Sequence, residues 1–144
     1  MKKRICGSIM LMLLILSLCA TAFADEAVPY ASDQFTSTVV DISAQSNGQI
    51  AVDCKAYGAG RMTSIGMTKL IIYEKTGNTW FIVETRTLAD NPDWMVYNTY
   101  NFGTTEWYNG TAGKQYYVKA TFEGTNSDGT DSRTYTSAVV TAHT

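Results

Sequence analysis

The stretch Lys114–Phe122, KQYYVKATF, decides the fold class of this chain. Apolar residues alternate with polar ones along it, so that Tyr116 and Val118 fall on one side and Tyr117 on the other. This alternation is typical of a β-strand that is buried on one face only. Glycine-containing turns bound the stretch at both ends. It therefore predicts a strand with Tyr116 facing a core and Tyr117 facing outward.

Similar runs fill most of the chain, and segments rich in Gly, Asn, Asp or Pro separate them. No segment shows the apolar period of a helix over a usable length. The other predicted strands cover residues 34–44, 49–57, 68–75, 79–87, 94–102 and 132–142, with loops at 58–67 and 103–113. About seven such strands predict an all-β fold, a two-layer antiparallel β-sandwich. Its core is expected to include Trp80, Trp94, Tyr116 and Phe122, with Tyr100 in phase with Trp94.

The N-terminal segment, residues 1–24, has the pattern of a secretory signal peptide. A basic start at residues 2–4 precedes an uncharged apolar run, and Ala22-Phe23-Ala24 matches a signal peptidase site. The apolar run is shorter than the ~20 residues that a membrane-spanning helix needs. We therefore expect cleavage after Ala24 and secretion to the extracellular space, with no stable membrane anchor afterwards. The alternative is a lipoprotein with lipid on Cys19, although Leu18 precedes that cysteine where a small residue is usual.

Cleavage would leave a short polar lead at residues 25–33 and one β-sandwich domain at residues 34–144. It would also change the charge. The full chain has 11 basic and 13 acidic residues, and losing the three basic residues at positions 2–4 moves the net charge from −2 to −5. The remaining Lys and Arg residues are scattered along the sequence. This balance disfavours binding to nucleic acid or to an anionic membrane, and we expect a monomer.

One cysteine, Cys54, would remain after cleavage, so an internal disulfide is excluded. Cys54 shares a strand face with Ile50 and Val52, which favours a buried, reduced thiol that packs as a small apolar group. The alternative is a reactive thiol or one that joins two chains.

The positions of Cys54, Tyr116 and Val118 carry a resemblance to a known fold. Cys54 in the second predicted strand and Val118, two residues after Tyr116, stand where an immunoglobulin domain would carry its two cysteines. The chain thus resembles an immunoglobulin or fibronectin type III sandwich in which apolar packing replaces the disulfide. The resemblance implies that Tyr116 is a tyrosine corner, its hydroxyl bonded back to the preceding loop.

A narrower resemblance covers nearly the whole of residues 25–144. The segments Ile65–Glu74, Gly113–Phe122 and Ser132–Ser137 are similar to an uncharacterised family of small secreted single-domain proteins of clostridia-like Gram-positive bacteria. This resemblance implies the fold and the extracellular location. It transfers no functional site.

The residues that catalysis usually requires are sparse. The only histidine, His143, lies one residue from the C-terminus, which disfavours a Ser–His or Cys–His mechanism and a zinc site. No phosphate-binding glycine loop is present. We therefore predict a protein that is not an enzyme, with no catalytic residue, cofactor or metal. Two weaker alternatives are glycosidase carboxylates among Asp90, Asp93 and Glu106 and a calcium loop at 128–131, which a plain hairpin turn also explains.

Aromatic residues supply the candidate binding sites. If Leu70 and Ile72 face inward, an outer stripe is formed by Ile71, Tyr73 and Tyr117, joined by Tyr135 from the last strand. A second candidate is the pair Trp107 and Tyr108 in the predicted loop 103–113. Cross-strand aromatic pairs also stabilise sheets, so a purely structural stripe stays open.

Two functional hypotheses follow from these aromatics. The first is a secreted, non-catalytic binding module for an unknown extracellular glycan or protein. The alternative is a secreted structural protein, or a toxin-like or inhibitor-like antagonist, and a glycan-active enzyme is a distant third. A glycan site should present flat aromatic rings flanked by Asn, Asp or Gln, whereas a protein site should present an apolar patch or an unprotected edge strand.

Overall fold

A computed structural model of the protein describes residues 34–144, so the expected signal peptide and the lead at 25–33 lie outside the described residues. Within this range the chain forms seven β-strands, and short 3-10 turns lie at Ser46–Gly48 and Pro92–Trp94. The strands are β1 Phe35–Ala44, β2 Gln49–Thr76, β3 Thr79–Thr87, β4 Met95–Asn109, β5 Gln115–Asn126, β6 Gly129–Thr136 and β7 Val140–Thr141. The all-β prediction is confirmed.

The strands pair antiparallel in one continuous sheet that the 28-residue strand β2 runs through. The first part of β2 pairs with β1 on one side and with the end of β4 on the other. Its last part pairs with β3 and β5, and β5 in turn pairs with β6 and β7. We call β1, β4 and the first part of β2 the first half-sheet. We call β3, β5, β6, β7 and the last part of β2 the second half-sheet.

The two half-sheets face each other across one core. Phe102 of the first half-sheet packs against Phe122 of the second, with 6.4 Å between ring centroids, and Tyr108 packs against Tyr116 at 5.7 Å. Ile50, Val52, Ala56, Leu70, Ile72, Val118 and Ala120 belong to the same buried cluster. Since each half-sheet buries one face in this cluster, the architecture is the predicted sandwich-like one.

Strand β2 continues through residues 58–67, where the sequence predicts a loop. The glycines of this segment are typical of turns, but Gly66 permits close approach of another part of the chain. A Cβ on Gly66 would lie 1.9 Å from the carbonyl oxygen of Trp94, so only glycine fits where β4 begins. The prediction of a loop was wrong because the packing partner of Gly66 is distant in sequence.

Two further strand boundaries differ from the predictions. Strand β4 extends to Asn109 and absorbs most of the predicted loop 103–113. The last predicted strand is split into β6 and β7 at Ser137, whose side-chain Oγ accepts a hydrogen bond from the Val118 backbone N–H at 3.0 Å. That side chain replaces the backbone acceptor that a continuous strand would offer.

Tyr100 does not share the buried face of Trp94. Trp94 is buried as predicted, whereas Tyr100 is 61% exposed. Asn98 between them has a φ of 54°, in the left-handed region, and the pairing of β4 with β2 shifts register at the same place. This irregularity turns Tyr100 outward.

The tyrosine-corner contact that the sequence predicts for Tyr116 is present. Tyr116 is fully buried, and its hydroxyl accepts a hydrogen bond from the Thr111 backbone N–H at 2.8 Å. The same hydroxyl donates to Oε2 of Glu74 at 2.6 Å, and Lys114 approaches the other oxygen at 3.4 Å. The hydrogen bond from Tyr116 is the largest cause of the lowered pKa of Glu74.

Cys54 is free and fully buried, as predicted. Burial, with smaller contributions from Glu106 and Asp53, raises the pKa of its thiol to about 12. The thiol therefore stays protonated at neutral pH and acts as part of the core.

Candidate functional site

The outer face of the second half-sheet carries a row of large side chains. Ile71 and Tyr73 alternate along β2 with the buried Leu70 and Ile72, so they lie on the outer face as predicted. The strand register places Tyr73 between Tyr117 of β5 and Ile82 of β3. Three neighbouring strands thus contribute to one surface.

The rings on this surface pack on one another. Tyr73 and Tyr117 are stacked, with 4.5 Å between their centroids and 5° between their planes. Trp80 meets Tyr117 edge to face, with centroids 4.7 Å apart. We call Ile71, Tyr73, Trp80, Ile82 and Tyr117 the aromatic face.

The prediction that Trp80 belongs to the core was wrong. Ile82 pairs with Tyr73 while Glu84 pairs with the next residue of β2, so Val83 is the extra residue of a β-bulge. A bulge reverses the alternation of a strand, and Trp80 and Ile82 therefore point outward, whereas Glu84 and Arg86 point toward the interior. The sequence gives no local sign of this bulge.

Lysines surround the aromatic face. The Lys119 ammonium lies 5.6 Å from the centroid of the Tyr73 ring, and the Lys75 ammonium lies 5.8 Å from that of Trp80. Lys69 is exposed on the same face of β2. The outward positions of β2 between residues 69 and 75 contain no Asp or Glu, and neither do the residues paired with them on β3 and β5. Cations that are scattered in the sequence are gathered here, so this surface is locally positive on an acidic chain.

Strand β3 forms an edge of the sheet. Within residues 34–144 it pairs with β2 alone. From Thr79 to Ile82 its other edge has no backbone partner in this range, whereas the Thr87 carbonyl accepts the backbone N–H groups of Asp90 and Asn91. Its residues Phe81 and Ile82 are 52% and 58% exposed, and Val83 is also exposed. Natural sheets usually protect such edges with charges, proline or bulges. Here the bulge at Val83 follows an unprotected apolar run, Trp80–Ile82.

Tyr135 does not join the aromatic face, which corrects its predicted place in the stripe. It pairs with the inward-facing Ala120 and packs against Phe122, with 6.1 Å between ring centroids. The error came from the register of β6, which depends on the β5–β6 hairpin and not on the alternation within β6 itself.

Trp107 and Tyr108 also differ from their prediction, since they lie on strand β4 and not in a loop. As neighbours in a strand they face opposite ways. Trp107 is exposed on the outside of the first half-sheet, and Tyr108 is half-buried against Tyr116. They therefore do not form one joint site.

A second candidate site is a cavity of about 500 Å³ between the 3-10 turn at Pro92–Trp94 and strand β4. It brings together the three carboxylates that the sequence singled out, which are Asp90, Asp93 and Glu106, and adds the side chains of Asn91, Thr99, Asn101 and Thr104. These residues provide polar groups around a space large enough for a small ligand.

Glu106 is already engaged by protein groups. Its Oε1 accepts hydrogen bonds from the Trp94 indole N–H at 2.8 Å and from the Thr104 hydroxyl at 3.2 Å. Its Oε2 pairs with Arg86 at 2.9 Å, and Arg86 also pairs with Glu84. With both oxygens engaged, Glu106 joins β3, β4 and the turn, which is a structural role.

The predicted hairpin explains the acidic residues at 128–131. The Asn126 side chain accepts the Asp128 backbone N–H at 2.8 Å, and Asp131 pairs with Arg133 at 3.0 Å. Across residues 34–144, no group of three or more His, Cys, Asp or Glu side chains is arranged to hold a metal ion.

The sequence pattern did not predict several of the exposed side chains. Trp80 and Ile82 were hidden by the bulge, and Tyr97 and Tyr100 by the irregularity at Asn98. The continuous apolar run Trp80–Val83 beside the turn at Gly77 and Asn78 was the signal that could have marked β3 as an exposed edge.

No family model matches this chain, and no curated protein matches it. No helix in residues 34–144 has the length and apolarity to cross a membrane.

Proposed function

We propose that this protein is a secreted, non-catalytic binding module that contacts an extracellular protein through the aromatic face and the adjoining edge of β3. The observation that carries the proposal is the exposure of Phe81 and Ile82 on a strand whose outer edge, from Thr79 to Ile82, has no partner within the described residues. An apolar patch beside an open edge is the pattern expected of a protein-binding surface.

The packing of the rings favours a protein over a glycan at this surface. Sugars bind to the open faces of aromatic rings, but Tyr73 and Tyr117 cover each other and lysines lie over Tyr73 and Trp80. What stays open to a partner is the side chain of Ile82, the ring edges and the strand itself. These suit an apolar side chain or a backbone.

A purely structural role explains only part of this surface. The stacked Tyr73 and Tyr117 stabilise neighbouring strands without help. They do not require Phe81 and Ile82 to be exposed at the edge, where apolar side chains favour unwanted association. Exposure of this kind is more readily explained by a partner that covers it.

The secreted sandwich of the immunoglobulin or fibronectin type III kind belongs to the same proposal. Antiparallel half-sheets of three and five strands that pack on each other, together with a tyrosine hydroxyl bonded to the backbone five residues upstream, support that fold. Such sandwiches carry many unrelated functions, so the role is argued from the exposed surface and not from the fold.

A capture experiment tests the proposal. Residues 25–144 are immobilised and exposed to culture medium of the producing cells, with Ile82→Ser and Tyr117→Ala as test variants. Trp107→Ala, on the outside of the first half-sheet, is the matched control. We expect a protein that is retained by the original chain and the control but lost with both test variants. Equal retention by all four chains would refute the aromatic face as the site.

A glycan is the second candidate ligand class, at the cavity beside Pro92–Trp94. The amides of Asn91 and Asn101 and the exposed carboxylate of Asp93 are suited to hydroxyl groups. Binding to a glycan array that disappears in Asn101→Ala and persists in Ile82→Ser would place the function in this cavity instead.

A further inference from the structure

We infer that β3 receives its partner as an added strand: an extended, acidic peptide segment that pairs with the free edge of β3 at Thr79–Ile82. The inference rests on the proposed function and specifies how the partner is held. It combines the backbone of β3, the side chains beside it and the charge of the surrounding face.

The backbone of β3 supplies the pairing groups. Alternate residues of a strand point their N–H and C=O groups to opposite sides, and one set in β3 serves β2. From Thr79 to Ile82 the other set has no hydrogen-bond partner among residues 34–144, whereas the Thr87 carbonyl at the end of β3 accepts the backbone N–H groups of Asp90 and Asn91. The bulge at Val83 interrupts the regular spacing, so the continuous edge open to an added strand is the four residues from Thr79 to Ile82. Main-chain pairing of this kind provides affinity in strand-addition complexes.

The side chains of β3 supply selectivity. An added strand would lie about 4.8 Å from β3, and its outward residues would stand beside Trp80 or Ile82. Ile82 is 58% exposed and pairs with Tyr73 of β2. An apolar residue of the added segment beside Ile82 would cover it, and the residue two positions away on the same strand face would stand on the side of Trp80 and Lys75.

The charge of the face selects an acidic segment. Lys75 lies over Trp80 on the strand next to β3, and Lys119 and Lys69 extend the positive surface. The outward positions 69–75 of β2 and their partners on β3 and β5 hold no carboxylate, while Glu123 of β5 and Asp90, which accepts the Thr87 hydroxyl, lie at the end of the face near Lys69. Acidic side chains in the partner would complement these lysines, and basic ones would be repelled. A second copy is disfavoured because pairing β3 with its counterpart would join two positive faces.

Synthetic peptides test this directly. The probe is the fluorescein-labelled peptide Glu-Thr-Val-Thr-Glu-Thr-Val-Thr, in which Glu and Val share one strand face. It is titrated into residues 25–144 and followed by fluorescence anisotropy. Its counterparts have Lys in place of Glu, or carry N-methyl groups on one or the other alternate set of backbone amides. We expect saturable binding of the acidic peptide, weakened about tenfold or more by one N-methyl set but hardly by the other. The Lys peptide should bind more weakly, and the difference should shrink in high salt.

Several outcomes would overturn the inference. These are no saturable binding of the acidic peptide, equal binding of the Lys peptide, equal effects of both N-methyl sets, and concentration-dependent dimerisation through β3. The proposed function is judged separately. If the partner captured from medium depends on Ile82 and Tyr117 while N-methylation has no effect, the aromatic face binds through side chains and strand addition is wrong.

Discussion

The two half-sheets bury the same kind of inner face but present different outer faces. Outside the first half-sheet, Thr105 donates its hydroxyl to Asp53, and Ser43 and Lys55 lie nearby. Outside the second, aromatic rings stack beneath lysines. Trp107 and Tyr57 are also exposed outside the first half-sheet, but they lie singly among these polar residues. The fold itself therefore does not demand stacked rings on an outer face. The presence of the aromatic face therefore has a cause other than packing of the core.

The largest expected effect concerns the inner face, where the rate of labelling of the Cys54 thiol should differ strongly between the native and the unfolded protein. The native thiol is buried with a raised pKa, so thiol reagents should react only when the chain opens. For a domain stable by ~5 kcal/mol, native labelling should be slower than labelling in denaturant by about a thousandfold or more. Rapid native labelling, followed by mass spectrometry, would show that the first half-sheet opens independently of the second.

Tyr116→Ala should destabilise the protein most among single side-chain changes on β5. It removes a fully buried ring from the contact between the half-sheets, and comparable changes cost about 3–5 kcal/mol. Denaturant unfolding measures the loss, with Tyr117→Ala as the neighbouring control. A larger loss in the control would invert the inward and outward assignment of β5.

Tyr116→Phe isolates the hydroxyl of the same residue. A hydrogen bond to a carboxylate is lost, which should lower the free energy of unfolding by about 1.5–3 kcal/mol at neutral pH. The pKa of Glu74 is lowered in the folded state, so its contribution is present above the ordinary value of 4.5 and is lost as pH falls through the folded pKa. The gap between the original chain and Tyr116→Phe should therefore narrow in acid. A gap independent of pH between 7 and 3 would contradict the role of Glu74.

Tyr117→Ala tests the aromatic face with a smaller effect on folding. It removes one stacked and one edge-to-face ring contact at a half-buried position, which together should cost about 1–2 kcal/mol. The same change should abolish partner capture while the circular dichroism spectrum stays unchanged. Loss of capture only in proportion to loss of folded protein would reduce the aromatic face to a structural element.

Thr105→Ala, outside the first half-sheet, should have the smallest effect. It removes one exposed hydrogen bond to Asp53 and should change the free energy of unfolding by about 0.5 kcal/mol or less. Capture and peptide binding should be unaltered. A binding defect in this variant would make the two outer faces functionally equivalent and remove the basis of the comparison.

Local pattern predicted what depends on neighbours in sequence. The alternation in Lys114–Phe122 was enough to assign Tyr116 and Tyr117 to opposite faces, whereas the hydroxyl contact of Tyr116 was implied by the resemblance to an immunoglobulin sandwich. The pattern failed where a distant segment decides the geometry. Gly66 permits a strand because the Trp94 backbone lies against it, and Trp80 points outward because of the bulge at Val83. The candidate surface depends on such pairings between distant segments. The sequence therefore predicted Ile71, Tyr73 and Tyr117 on this surface but did not predict Ile82 or the neighbouring Lys69, Lys75 and Lys119.

The length of β2 has a consequence for how the molecule comes apart. This strand is hydrogen-bonded to β1, β3, β4 and β5, so it belongs to both layers at once. Neither layer can melt without releasing backbone bonds that the other layer shares, and amide protons along β2 should exchange only in global unfolding. The edge of β3 from Thr79 to Ile82 lies at the opposite extreme, because its outer backbone groups have no partner among the described residues. One polypeptide thus combines a central strand whose amide protons exchange slowly with an edge strand that can form hydrogen bonds to another molecule.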